Sequence, residues 1–158
     1  MQRRITGFFK DERGDWAARL DCGHPQHTRH APPFVNRPWV ESAEGQAGHL
    51  GEPLDCVRCD RLELPDGLTS YRCTPEFDAD SVPGGLTREH RTKAGVWGRL
   101  HVLEGRLRYV VLNGPMREFD LRGGDVAVIA PEMPHYVTPL GPVRFYVEFL
   151  RLKSQPEA

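Results

Sequence analysis

The stretch Arg106-Leu107-Arg108-Tyr109-Val110-Val111 sets Leu107, Tyr109 and Val111 against Arg106, Arg108 and Val110, the period-two alternation of a half-buried strand. Val143, Phe145, Val147 and Phe149 repeat the pattern, with Arg144, Tyr146 and Glu148 on the opposite face. Around these two runs, Gly and Pro cut the second half of the chain into short segments. Strands are expected near 98–104, 106–112, 117–121, 125–130, 134–138 and 143–151. Gly105 reads as a tight turn inside the first pair, and Gly123-Gly124-Asp125 opens the fourth strand. No helical stripe longer than two turns interrupts them, so the expected architecture is mainly β, a sandwich or barrel of jelly-roll type.

The first half has a different texture. Ile5 to Lys10 and Trp16 to Leu20 flank the turn residues Asp11 to Asp15, which predicts a β-hairpin. Three prolines between Ala31 and Trp39 exclude a regular helix there. Ser42 to Leu50 is expected to form a short helix with Ser42 as N-cap, weakened by two glycines. Leu64-Pro65-Asp66-Gly67 is turn chemistry at a boundary. The expected division is a small domain over 1–62, a linker over 63–71, a β-domain over 72–152 and a tail over 153–158.

That small domain is short and rich in Pro and Gly for a core of its own, and its cysteines supply the reason it folds. Cys22-Gly23-His24 and Cys56-Val57-Arg58-Cys59 form a C-x-H and a distant C-x2-C, soft thiolate and imidazole donors of the kind that close a tetrahedral shell around one structural zinc. The expected ligands are Cys22, His24, Cys56 and Cys59, with His27 or His30 as the alternative fourth. Four ligands leave no open position for catalysis. Cys73 stands apart and is expected to pack as a small apolar residue.

The bulk properties narrow the function classes. The 158 residues carry a formal net charge of −1, with 39% hydrophobic and 27% charged side chains, a balance with no global drive toward nucleic acid or anionic lipid. Neither an apolar run of membrane-spanning length nor the apolar stretch of a signal peptide is present. The expectation is a cytoplasmic protein with reduced cysteines. Arg3, Arg4, Lys10, Arg13, Arg19, Arg29 and Arg37 give the first 40 residues a mild basic excess, but Asp11, Glu12, Asp15 and Asp21 are interspersed among them. Nucleic-acid binding is therefore not expected.

Two resemblances add to these readings. Cys22-Gly23-His24-Pro25-Gln26-His27-Thr28-Arg29-His30, Pro32-Pro33-Phe34, Asn36-Arg37-Pro38-Trp39 and the Cys56–Cys59 pair resemble DUF3565, a small bacterial domain without a settled activity. In the second half, Gly124 followed by Pro131-Glu132-Met133-Pro134-His135 resembles the second motif of the cupin superfamily, whose histidine points into the barrel and binds metal. The first cupin motif supplies H-x-H and a glutamate; here His90 is present, Thr92 stands at the second histidine and Trp97 near the glutamate. The resemblance implies a second divalent metal on His90 and His135, with Glu148, or less readily His101, completing the site.

His90, Thr92-Lys93, Gly95, Trp97-Gly98, Val102-Leu103, Gly105, Leu107 and Pro131 to His135 are similar to the TehB-like cupin domain of tellurite-resistance proteins (DUF1971). That resemblance implies a cupin barrel, a homodimer and a stress or detoxification role. The Gly-rich strand–turn–helix signature of an S-adenosylmethionine site is absent, so methyl transfer is not expected. Arg91, Lys93 and Trp97, with Arg88 and Arg99 nearby, are expected to line the mouth and attract a small anionic ligand. The alternative is an adaptor whose zinc module docks on a partner protein while the barrel serves as a dimerisation scaffold.

Overall fold

A computed structural model of the protein describes residues 1–27 and 38–153, in two units, Met1–Arg61 and Leu62–Ala158. His30, Phe34 and the rest of the proline-rich segment 28–37 lie outside the described residues.

In the first unit, the predicted hairpin is β1 (Gln2–Lys10) and β2 (Trp16–Leu20). Its turn is closed by Asp11, whose carboxylate accepts the backbone N–H groups of Arg13 and Asp15 at 2.9 and 3.0 Å. Two short strands, β3 (Pro25–His27) and β4 (Pro53–Asp55), complete a four-stranded sheet in the order β3-β2-β1-β4. A 3₁₀ turn (Pro38–Glu41) leads into α1 (Ala43–His49), and the Ser42 hydroxyl caps it by accepting Gly45 N–H at 3.0 Å. A single helical turn, α2 (Val57–Asp60), follows β4. Ile5, Ala17, Ala18, Leu20 and Val40 are buried between these elements. This is a small apolar core, as expected of so short a unit.

The second unit is one six-stranded antiparallel sheet curled into a half-barrel. Its elements are β5 (Leu68–Cys73), β6 (Phe77–Asp78), β7 (Trp97–Val111), β8 (Arg117–Arg122), β9 (Val126–Ile129) and β10 (His135–Leu152). The expected turn at Gly105 is corrected. The chain runs through it as one 15-residue strand, and 134–138 and 143–151 likewise join into the 18-residue β10.

Gly105 marks a bend in that strand. At φ +78° it would place a Cβ 2.0 Å from the Pro142 carbonyl oxygen, so glycine lets β7 and β10 approach where both bend. The buried positions change phase across the irregularity: Leu100 and Val102 lie inside before it, and Leu107, Tyr109 and Val111 after it. One edge of β7 thereby pairs first with β9 and then with β8. The Tyr109 hydroxyl fastens the curl by donating to the Val128 carbonyl at 2.9 Å. Two further expectations change. The linker over 63–71 gives way at Leu68 to β5, which pairs with β10, and Cys73 at the end of β5 is exposed rather than packed.

Candidate metal centre and ligand cavity

Strand order brings the distant ligand pairs together. β1 lies between β2 and β4 and is antiparallel to both, so the ends of β2 and β4 emerge on the same side, beside the start of β1. From β2 the chain enters a tight turn, with Gly23 at φ +97° and Gly23 N–H donating to the Leu20 carbonyl at 2.9 Å. This turn carries Cys22 and His24. From β4 it enters α2 through Cys56 at the N-cap, and the single turn that follows carries Cys59 back beside it.

The four ligand atoms converge. His24 Nδ1 lies 3.5, 3.4 and 3.5 Å from the sulfurs of Cys22, Cys56 and Cys59, and the Cys22 and Cys56 sulfurs are 3.9 Å apart. That separation is far beyond a disulfide bond. All four residues are buried and their ligand atoms lie within 4.8 Å of one another, so the group is a candidate metal site.

The electrostatics point the same way. Cys56 is held as the thiolate, its pKa lowered chiefly by a hydrogen bond from Cys22 and then one from Cys59. The Cys22 thiol is pushed up by hydrogen bonding to Cys56 and Cys59 and by burial. Cys59 is lowered by its hydrogen bond with Cys22, but Cys56 and burial outweigh that and push it up to about 11. Three buried sulfurs in contact cannot all carry charge unless a cation sits among them.

His27, the alternative fourth ligand, lies elsewhere. It is half exposed and faces the Asp11 carboxylate at 3.4 Å. Arg3 has a place that sequence reading did not give it. Counted there only in the mild basic excess of the first 40 residues, it is 3% exposed, and its Nε donates to Cys59 Sγ at 3.3 Å. Its burial follows strand alternation, which puts it on the same face of β1 as buried Ile5.

In the second unit, His90 and His135 meet across an antiparallel bridge, with ring centroids 4.2 Å apart. Their tautomers are set by the backbone. Each Nδ1 sits against the carbonyl two residues earlier, His90 on Arg88 at 2.9 Å and His135 on Met133 at 2.8 Å. A carbonyl only accepts, so each neutral ring carries its proton on Nδ1 and leaves Nε2 as an acceptor. His135 is 2% exposed, and burial pushes its pKa down to about 4.

Both rings line a cavity of about 280 Å³. Arg72, Arg91 and Lys93 contribute exposed cations to it, and Ile129, Val147 and Phe149 form an apolar wall. Among the described residues no carboxylate or thiol lines it. The expected third ligand, Glu148, does not line it either. Strand alternation turns it away from Val147 and Phe149, and it bonds His101 Nε2 at 2.9 Å with Arg99 Nε at 3.3 Å. His101 stacks on Tyr146 in the same group. Trp97 is fully buried and does not line the cavity.

Comparison with known proteins follows this division into units. Residues 72–147 match the TehB-like domain. Residues 6–63 match DUF3565, a family of unknown function. The chain is 35% identical over 49 residues to the probable S-adenosyl-L-methionine-dependent methyltransferase TehB of Haemophilus influenzae strain KW20, and 33% identical over 49 residues to that of strain 10810. The chain spans only 17% of the length of these relatives.

A crystal structure of TehB from H. influenzae superposes with a TM-score of 0.52 at 27% identity, covering 56% of this chain and 32% of that one. A crystal structure of a protein from E. coli K12 gives 0.52 at 24% identity, covering 60% of this chain and 98% of that one, a likeness of fold. The second unit is thus a curled half-barrel sheet that matches the TehB-like domain, in a chain that also carries a buried Cys/His cluster. Among the described residues no helix is long and apolar enough to cross a membrane.

Proposed function

We propose that this protein is a small-anion-binding cupin that carries a structural zinc module and serves a stress or detoxification role of the tellurite-resistance kind. The observation that carries the reading is the cavity: three cations at its rim, two imidazoles, an apolar wall and, among the described residues, no carboxylate. Such a lining attracts anions and repels cations. The TehB-like resemblance supports the role. Methyl transfer is not proposed, since among the described residues neither unit has the strand, Gly-rich turn and helix that chemistry uses.

Zinc is the metal proposed for the first unit, and the spacing of the donors fits it. With bonds of about 2.3 Å to sulfur and about 2.0 Å to nitrogen, a tetrahedral ion needs S···S edges of roughly 3.8 Å and N···S edges of roughly 3.5 Å. The cluster offers 3.9 Å for the first and 3.4 to 3.5 Å for the second. Cys22, His24, Cys56 and Cys59 would hold the ion, which would neutralise the thiolates and fold the unit around them.

Two measurements test the proposal. Metal content per chain by mass spectrometry should give one zinc, lost in Cys56→Ser/Cys59→Ser and retained in His90→Ala/His135→Ala. Thermal shift of the full chain against carboxylates, phosphate and tellurite should stabilise the second unit, less so in Arg91→Glu/Lys93→Glu. An anion panel without any stabilising member would overturn the ligand reading.

A further inference from the structure

The cavity of the second unit has a polarity gradient that narrows its ligand further. Arg72, Arg91 and Lys93 are exposed at its rim, while His135, Ile129 and Val147 are buried deeper. Its threonine hydroxyls are already engaged. Thr92 donates to the Val96 carbonyl at 2.8 Å, and Thr74 donates to the Pro75 carbonyl at 2.9 Å and accepts Val147 N–H at 3.0 Å. Both Nδ1 atoms of the histidine pair are spent on the backbone. What the two rings offer the cavity is Nε2, an acceptor on each.

A divalent cation fits this lining poorly. Two imidazoles are too few ligands for a first-row ion, and three nearby positive charges oppose it. Glu148 is turned to the other face and held there by His101 and Arg99. The second metal that the cupin resemblance implied therefore lacks its ligand set in this chain.

Taking the cavity as an anion site, as proposed above, we infer that it binds a small hydroxy acid directly, without a metal. The carboxylate lies at the Arg72, Arg91 and Lys93 rim, the hydroxyl donates to Nε2 of His90, the more exposed of the two rings, and the carbon skeleton rests on Ile129, Val147 and Phe149. A rim of cations alone would accept any anion. The acceptor pair behind it selects one that also carries a hydrogen-bond donor, because an acid without the hydroxyl leaves those acceptors desolvated and unmatched.

Isothermal titration of the zinc-loaded full chain in metal-depleted buffer tests this with a matched pair of probes, 2-hydroxy-4-methylpentanoate and 4-methylpentanoate. The hydroxy acid should bind about tenfold more tightly, and added Mn(II) should leave that ratio unchanged. His90→Phe, at the more exposed ring, should erase the difference while keeping the affinity for the plain acid. Lys93→Ala should weaken both probes alike.

Equal binding of the two acids, or hydroxy-acid binding that appears only with Mn(II), would overturn the inference and leave the anion site standing. So would binding of other anions in the panel when both probes fail. If neither these acids nor any anion of the panel binds, the anion-site reading fails as well.

Discussion

Arg3→Met is the most informative substitution in the first unit, because it removes a charge and little volume. Three thiolates around the proposed zinc would leave a single negative charge on the Cys22, His24, Cys56 and Cys59 group, which the buried guanidinium of Arg3, donating to Cys59 Sγ at 3.3 Å, would offset. A hydrogen bond to a charged partner contributes about 1.5–3 kcal/mol. Its loss is therefore expected to weaken metal binding by about 10- to 150-fold, in line with substitutions behind other metal ligands.

Arg3→Lys keeps the charge but loses the directed Nε–H and should fall between the two. The assay is competition for zinc against a chromogenic chelator, on the full chain, with circular dichroism to confirm that each variant is folded when metal is present. An Arg3→Met protein with wild-type zinc affinity would refute the reasoning, since Arg3 would then be a buried bystander.

Three further outcomes are expected. Cys56→Ser/Cys59→Ser, or removal of the metal by a chelator, should unfold Met1–Arg61 while the melting of Leu62–Ala158 persists, which calorimetry would show as loss of one transition of two. Burial lowers the pKa of His135 from its ordinary 6.5 to about 4, so the unfolded chain takes up the proton first as pH falls. The resulting stability is complete above about pH 6.5 and is lost between there and about pH 4, at most about 3 kcal/mol; denaturant titrations across that window should flatten in His135→Gln. Gly105→Ala would set a Cβ against the Pro142 carbonyl at a positive φ, and should cost the second unit at least about 2 kcal/mol, read as a drop on the order of 10 °C in its melting temperature.

Much of the candidate site was legible residue by residue. C-x-H and C-x2-C announce their ligand chemistry wherever they occur, because donor softness belongs to the side chain. The strands from Leu107 and from Val143 were legible because a period of two is a property of the chain. The same rule, carried one step further, turns Glu148 away from the cavity that its neighbours Val147 and Phe149 line. The fault there lay in borrowing a ligand from a resemblance over the local pattern.

Gly105 shows the opposite case. A glycine permits a turn or a bend equally, and only the backbone of Pro142, 37 positions away and pressed against it, selects the bend. Sequence alone determined the alternation, the helix cap at Ser42, the turn at Asp11 and the donor chemistry of Cys22, Cys56 and Cys59, with the histidine beside them left open among His24, His27 and His30. Tertiary structure decided what depends on neighbours remote in the chain. It buried Arg3 against Cys59, brought His90 onto His135 across a bridge, and took Trp97 into the core. Donor chemistry and periodicity are local, whereas burial, charge pairing and the shape of a cavity are sums over strands that only the fold brings together.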